Sequence, residues 1–259
     1  TETPSRGTYD LSAEGKRVVL TDARATVLCR RFSYQHPRRS GRLEGAPGQP
    51  VRMLLSEGAD VACDRINFES NTGKAWLYGA GHMARRFPNG LSQAQAVELI
   101  ETDDPDLLPA SERITWAKGV ELMFTNEKVT RNGRTTTRQF IQQADFHQDV
   151  VLRQSADPNG DVVECDDLAV AMGHSARGSA YVKTAVAVGH VRARQEGSNI
   201  SADKVTVGFV EGDTSQAARF APARAAEVSL ASGARIRPAT IVAEGGVVIN
   251  DRRDPNAEL

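Results

Sequence analysis

The sequence predicts an all-β protein, and three observations lead to this prediction. Segments in which apolar and polar residues alternate cover much of the chain, turn residues separate these segments, and parts of the sequence repeat. Many short strands at regular spacing indicate a sandwich, a barrel or a solenoid. The predicted strand-like segments are residues 16–29, 64–70, 74–81, 113–124, 149–154, 167–173, 181–195, 203–209, 226–236 and 239–250.

Turn residues mark the ends of several predicted strands, most clearly at residues 71–73 (Asn-Thr-Gly) and 157–161 (Asp-Pro-Asn-Gly-Asp). One segment departs from the strand pattern and predicts a helix over residues 91–101. Ser92 is its expected N-cap, and Ala96, Val97 and Ile100 are its expected apolar face. This helix lies in a predicted insertion between strands at residues 85–112. Residues 34–50, rich in Arg, Gly and Pro, are predicted to form a long loop.

The composition excludes several function classes. The chain has 259 residues with 32 basic and 33 acidic side chains, a net charge of -1, so we expect no nucleic-acid partner and no attraction to an anionic membrane surface. No apolar run reaches the roughly 18 residues that a membrane-spanning helix needs. Because the chain starts without methionine and ends shortly after a strand-like segment, we expect a mature form or a piece of a longer protein.

Neither a catalytic site nor a cofactor is predicted. The three cysteines form no Cys-x-x-Cys pair, the five histidines show no metal-ligand spacing near them, and the cysteines are expected to be small buried residues. Signatures of serine hydrolases, zinc peptidases and phosphate-binding loops do not occur in the sequence. His147 lies in the one tight cluster of histidine and acids, at residues 145–149, and is expected to face solvent. We therefore expect a protein that is not an enzyme.

Three short segments repeat the same pattern, at residues 61–69, 163–171 and 200–208. Each has an apolar residue, a variable residue, Cys or Ala, an aspartate, another variable residue, and an aliphatic residue that leads a strand. The aspartates are Asp64, Asp166 and Asp203, and we expect each to accept backbone N–H bonds at a corner between two strands. A repeated strand-turn-strand unit cannot bury its apolar face alone, so neighbouring units are expected to stack.

The segment from Gly189 to Val205 (GHVRARQEGSNISADKV) resembles the hallmark of the LptA/OstA family of lipopolysaccharide-transport proteins, also called the organic solvent tolerance family. In this family a Gly-Asn-Val strand, a Gln-Gly turn and an Ala-Asp-Lys-Val strand recur, and His190 departs from the pattern where asparagine is usual. Residues 60–81 and residues 119–209 are also similar to the family, and residues 226–250 show a weaker similarity to it.

This resemblance implies a β-jellyroll of the folded-sheet (β-taco) type extending over residues 1–259, whose apolar trough takes the acyl chains of lipopolysaccharide or a similar lipid. It also implies a periplasmic location with possible outer-membrane association, and edge-strand pairing with itself or with other proteins of a transport bridge. The alternative is a structural or adaptor β-solenoid of the cell envelope with a closed core and only protein partners. Strand alternation leaves open whether Trp76 and Tyr78 or their neighbours point inward. The candidate lipid-binding residues are Ile66, Phe68, Trp76, Tyr78, Leu168, Val170, Val191, Val205, Val207 and Phe209.

Overall fold

A computed structural model describes residues 9–56, 58–85, 90–102, 112–131, 134–154, 160–174, 180–195, 198–211 and 236–251. The chain divides into two compact units, residues 1–108 and residues 109–259. Every strand pair within each unit is antiparallel, and the described residues contain one short helix. The prediction of an all-β antiparallel protein with one helical insertion is therefore confirmed.

The described residues of the N-terminal unit form eight strands in a forked sheet. The second strand, β2, is long enough to pair with two partners in succession: residues 25–28 pair with β4 and residues 31–35 pair with β3. From β3 the sheet continues through β6 to β7, and from β4 it continues through β5 to β8, while β1 covers the other edge of β2. The strands are β1 (Asp10–Thr21), β2 (Ala25–Gln35), β3 (Ser40–Glu44), β4 (Val51–Leu55), β5 (Ala59–Cys63), β6 (Arg65–Glu69), β7 (Lys74–Tyr78) and β8 (Gly81–Arg85).

The prediction of a long loop at residues 34–50 is wrong, because β3 forms a hairpin with β2 inside this range. Gly41 hid the strand from the sequence pattern, since glycine is rare inside strands. The structure explains why glycine is needed there. A Cβ atom on Gly41 would lie 2.2 Å from the ring of Phe68. This ring crosses Gly41 and stacks on Tyr34 of β2, with ring centroids 6.3 Å apart.

Helix α1 (Gln93–Thr102) packs on the β2 and β4 side of the N-terminal unit. Ser92 caps it as predicted: its Oγ accepts a hydrogen bond from the Gln95 amide, and its own amide donates to the Gln95 side chain. Ala96 and Ile100 are buried against Leu54 of β4. The Arg17 guanidinium donates a 2.7 Å hydrogen bond to the carbonyl of Ile100 and so ties the last turn to β1. The ends of the predicted insertion, residues 86–89 and 103–111, lie outside the described residues.

The C-terminal unit is a second forked sheet, ordered β10, β11, β12, β13, β14, β15. As in the first unit, its long strands change partners along their length. Strand β11 pairs with β10 and then with β9, and β14 pairs with β16 and then with β15. The strands are β9 (Glu112–Trp116), β10 (Gly119–Arg131), β11 (Arg134–Arg153), β12 (Val162–His174), β13 (Ala180–Gln195), β14 (Ser198–Glu211), β15 (Ile236–Glu244) and β16 (Val248–Asp251).

The boundary between the two compact units, after residue 108, falls inside the predicted insertion at residues 85–112. The predicted turn at residues 71–73 connects β6 to β7, with Gly73 at a φ of 66°. Most of the predicted turn at 157–161 and of the predicted strand at 226–236 lies outside the described residues. In the described part of the chain, no helix has the length and apolar character that crossing a membrane requires.

Candidate functional site

Two apolar rows run across the C-terminal unit on one face of its sheet, which we call the inner face. Cross-strand register defines the rows, because residues directly opposite each other in antiparallel strands point to the same side. The first row is Phe146, Leu168, Ala187, Val205 and Ala243, and the second row is Ala144, Val170, Ala185, Val207 and Ile241.

The exposure of these rows increases from β11 to β15. Phe146 and Leu168 are buried, Val205 and Val207 on β14 are half-buried, and Ile241 on β15 is 58% exposed. Apolar side chains with such exposure at the end of a continuous apolar face mark a surface that water covers poorly. The open part of the inner face is therefore formed by β14 and β15.

The predicted lipid-binding residues of the C-terminal unit fall into two groups. Leu168, Val170 and Val191 are buried, so they are packed core residues in this structure. Val205, Val207 and Phe209 on β14 are half-buried, and Val205 and Val207 belong to the open part of the inner face. Phe209 follows Val207 by two residues on β14. The pairing of β14 with β15 shifts register between Gly208 and Phe209.

In the N-terminal unit the cross-strand register of β6 and β7 shows which of their residues share a face of the sheet. Ile66 lies opposite Leu77, and Phe68 lies opposite Ala75, so these four residues share one face. Trp76 and Tyr78 lie on the opposite face, beside Asn67 and Arg65. Thus Trp76 and Tyr78 do not join Ile66 and Phe68 in a common site.

The implied open trough does not extend through the N-terminal unit. Ile66 and Leu77 are buried, and so are Val61, Ala62 and Cys63 on consecutive positions of β5. Consecutive buried residues mean that both faces of a strand are covered, because side chains alternate between the faces. In this unit the apolar side chains fill a core, and the expectation of an open apolar trough there is corrected to a packed interior.

Asp64, Asp166 and Asp203 lie at bends of the chain, and each sits over a glycine of the neighbouring segment. A Cβ atom on Gly189 would lie 2.2 Å from Oδ2 of Asp166, and one on Gly245 would lie 2.2 Å from Oδ2 of Asp203. Gly79 stands in the same relation to Asp64, at 1.9 Å. The φ angles of Gly79, Gly189 and Gly245 are 84°, 76° and 70°. A residue with a side chain would be strained in this conformation.

These bends line up on neighbouring strands of the C-terminal unit in what we call the corner row: Asp149, Asp166, Gly189, Asp203 and Gly245. The ladder shifts register between His147 and Val150, between Glu164 and Asp167, and between Val188 and Val191. Bulges of this kind bend a strand and increase its twist. The corner row therefore separates the two halves of each long strand and lets one strand serve two parts of the sheet.

Two exposed histidines bond to aspartates along the corner row. His190 Nδ1 lies 2.9 Å from Asp166 Oδ2, and His147 Nδ1 lies 2.9 Å from Asp167 Oδ1. His190 adopts a φ of 48°, a conformation in which asparagine and histidine are more common than most residues. Both pairs lie at the surface, where an ion pair contributes little to stability.

Chemistry based on thiols or metal ions finds no support in the described residues. Burial raises the pKa of the Cys63 and Cys165 thiols to about 12, so both stay protonated and unreactive at neutral pH. Cys29 is buried as well, and burial also raises its pKa. Within the part of the chain that the structure describes, no group of three or more His, Cys, Asp or Glu side chains could hold a metal ion.

A buried charged cluster in the N-terminal unit was not predicted from the sequence. Asp60 is fully buried, with Arg52 Nε 3.3 Å from its Oδ1 and His82 Nε2 3.9 Å from its Oδ2. Burial alone would raise the pKa of Asp60, but His82 and Arg52 together outweigh burial and lower this pKa to about 2. Register brings Arg52 and His82 onto the strands on either side of β5, which local sequence patterns do not reveal.

Comparison with known proteins found no match to this chain among protein-family models, curated proteins or solved structures.

Proposed function

We propose that the chain is a lipid-binding transport module whose inner face in the C-terminal unit shields the acyl chains of lipopolysaccharide or a similar lipid on the way to the outer membrane. The observation that carries this proposal is the pair of apolar rows that pass from buried positions on β11 and β12 to exposed positions on β14 and β15. The location of such a module would be the periplasm.

The energetics favour an apolar ligand at this surface. Burying apolar surface is worth about 25 cal/mol per Å², or about 0.8 kcal/mol for each methylene group that leaves water. Ile241 is more than half exposed, and Val205 and Val207 are half-buried next to it. An acyl chain laid along these residues would cover both its own surface and theirs, so both partners would gain.

The bent sheet gives the proposal a structural setting. Long strands that bend at the corner row and contribute to two parts of a sheet are compatible with a folded sheet of the jellyroll type, which we propose for the C-terminal unit. The resemblance of residues 189–205 to the LptA/OstA family supports the same reading. We place the lipid-contacting surface at Val205, Val207, Phe209 and Ile241, whereas Leu168 and Val170 form the packed part of the same face and Val191 lies beyond the corner row.

A charge placed in the proposed site tests the function against a matched control. Val207→Asp puts a carboxylate on the inner face, and Thr206→Asp puts the same group on the opposite face of the same strand. Binding of a fluorescent lipid A-like glycolipid to purified protein would be measured for both variants. We expect Val207→Asp to weaken binding by roughly 10-fold or more, since a charge is costly in apolar contact, and Thr206→Asp to leave it within roughly 2-fold. Equal affinities for the two variants, or no glycolipid binding by the unsubstituted chain, would overturn the proposal.

A second candidate function, an adaptor that binds other envelope proteins, is favoured by the exposed C-terminal strands. Val248 and Ile249 on β16 are more than half exposed. Among the described residues, β15 and β16 each pair only with β14, so their outer edges offer backbone groups to another strand. An Ile249→Lys variant distinguishes the functions: it should abolish protein association measured by sedimentation if the adaptor function is correct, and it should leave glycolipid binding unchanged if the lipid function is correct.

A further inference from the structure

The outer face of β3, β6 and β7 in the N-terminal unit has an unusual combination of side chains. Cross-strand register sets Trp76 opposite Asn67 and Tyr78 opposite Arg65. We call these four residues the Trp76 face. On β3, Arg42 lies opposite Asn67, and Glu44 lies opposite Arg65. Two aromatic rings thus lie beside planar polar groups on one side of a sheet, away from the apolar core.

The two rings are partly accessible and are covered by cations. Tyr78 is 37% exposed, and the Arg65 guanidinium lies 4.1 Å from the centre of its ring. Trp76 is half-buried, with Lys74 Nζ 6.0 Å from the centre of its ring. Cations held over aromatic faces are attracted by the ring electrons. Arg65 and Lys74 therefore lie over the ring faces in the free protein, and a ligand that stacks on a ring must displace them.

A donor and an acceptor on the Trp76 face have no partner in the described part of the chain. Arg65 Nε and Asn67 Oδ1 are both buried, and neither makes a hydrogen bond. They lie two residues apart on β6, so their side chains point to the same face. A buried polar atom without a partner destabilises the folded protein, and such atoms in native proteins call for an explanation.

The carboxylates of Glu14 and Glu44 beside the Trp76 face are paired with arginines. Arg31 lies 2.8 Å from Glu14 and 3.4 Å from Glu44, and Arg42 also pairs with Glu44. A cationic ligand would compete with these existing pairs and would also meet the positive charges of Arg65 and Lys74 over the rings. The ligand that fits this face carries no positive charge at the point of contact and is rich in groups that both donate and accept hydrogen bonds.

We propose that the Trp76 face binds the pyranose ring of a saccharide. The Arg65 guanidinium leaves the Tyr78 ring, and the apolar C–H side of the sugar takes its place and extends toward Trp76. This movement uncovers Asn67 Oδ1 and Arg65 Nε, which are buried before the ligand binds. One sugar hydroxyl then donates to Asn67 Oδ1, and another accepts from Nε of the displaced guanidinium, since a hydroxyl group can do both. This inference goes beyond the proposed lipid function and does not depend on it, because the Trp76 face lies in the N-terminal unit and the proposed lipid surface lies in the C-terminal unit.

The two tryptophans make a direct binding test possible. Trp116 is buried in the C-terminal unit, so the protein labelled with nitrogen-15 should give one indole N–H signal from each unit. The titrants are chitotetraose and the fully deacylated headgroup of a lipid A-like glycolipid, which distinguish a free glycan from a glycolipid as the source of the sugar. We expect the Trp76 signal to shift with saturation in the millimolar range, with the Trp116 signal unchanged.

Variants test whether the named contacts carry the binding. Asn67→Ala should weaken saccharide affinity by roughly 10-fold, the usual effect of one lost hydrogen bond of about 1.4 kcal/mol. Gln35→Ala, an exposed position on β2 that lies on the same outer face, should leave it unchanged. If Asn67→Ala does not fold, Tyr78→Ala serves the same purpose, because it removes a ring that is already partly exposed.

Three results would overturn the inference. The first is a Trp76 signal that does not move with either saccharide. The second is an equal shift with polyethylene glycol of matched length, which would show that the face does not recognise sugar hydroxyls. The third is unchanged affinity in the folded Asn67→Ala or Tyr78→Ala variant. None of these results bears on glycolipid acyl-chain binding at Val207, so failure of one proposal is distinguishable from failure of the other.

Discussion

Replacing Gly189 with alanine should destabilise the C-terminal unit, because the new methyl group would collide with Asp166. The Cβ atom would lie 2.2 Å from Oδ2 of that carboxylate, far inside van der Waals contact. Gly189 also has a φ of 76°, and a left-handed conformation costs a residue with a side chain about 1–2 kcal/mol. Asp166 must turn away from His190, which adds a smaller loss because that pair is exposed. We expect a total of about 2–3 kcal/mol.

Urea denaturation in a Trp76→Phe background provides the assay, because the remaining Trp116 is buried in the C-terminal unit and reports its unfolding. Gly208→Ala is the matched control: the nearest atom to its added Cβ is on Thr240 at 3.8 Å, an ordinary contact. This control should change the free energy of unfolding by less than about 0.5 kcal/mol.

A double-mutant cycle measures how much of the loss comes from the Asp166 carboxylate. Asp166→Ala removes Oδ2 and Cγ but leaves its Cβ 2.8 Å from the added methyl group, so in that background Gly189→Ala should cost about 1 kcal/mol less than it does alone. A loss below about 0.5 kcal/mol for Gly189→Ala in the presence of Asp166 would refute the reasoning. Strict additivity with Asp166→Ala would refute the claim that the two residues are in contact.

Further predictions concern buried groups. The pKa of Asp60 falls from 3.8 to about 2 on folding, so its ionised form should stabilise the protein by about 2 kcal/mol above pH 4, and this stability should disappear as the pH falls from 4 to 2. Asp60→Asn should remove that pH dependence. It should also lower the free energy of unfolding by about 3 kcal/mol at pH 7, because Arg52 stays buried without its counter-ion. Denaturation curves at several pH values test this, and a free energy of unfolding that depends on pH as before in Asp60→Asn would contradict it. Cys165 should resist iodoacetamide at pH 8 until urea unfolds the chain, and rapid modification of the native protein would contradict its pKa of about 12. Ile100→Ala should lower the free energy of unfolding by about 2–4 kcal/mol while the exposed Gln93→Ala changes little, and similar losses for both would contradict the packing of α1.

Most of the strands and the helix were predictable because their signals are local. Alternation indicates a strand, and Ser92 followed three residues later by Gln95 indicates a helix start. The predicted strand segments do not cover β3, β4, β5 or, beyond its first residue, β8. In β3 the reason is that Gly41 interrupts the alternating pattern. The reason for Gly41 is the ring of Phe68, which lies 27 positions further along the chain, so no local window contains both.

The candidate site was predictable only in part, for a related reason. The alternating pattern predicts that Val205 and Val207 share a face. It does not predict that Leu168 is buried while Val205 and Val207 are only half-buried, because burial depends on the position of a strand in the sheet. In β7 both alternating sets are apolar or aromatic, so only pairing with β6 shows that Trp76 leaves the Ile66 face. Ile241 lies in a segment whose sequence resembles the repeat only weakly. Its exposure follows from the terminal position of β15 in the sheet.

Photocrosslinking at neighbouring positions of β14 tests the central claim most directly. A photoreactive amino acid at residue 207 faces the inner side of the C-terminal unit, and the same amino acid at residue 206 faces the opposite side. With a radiolabelled lipid A-like glycolipid present during illumination, the account predicts that residue 207 becomes labelled while residue 206 stays unlabelled. Labelling at both positions to the same extent, or at neither, would contradict the claim that the inner face of this unit shields acyl chains.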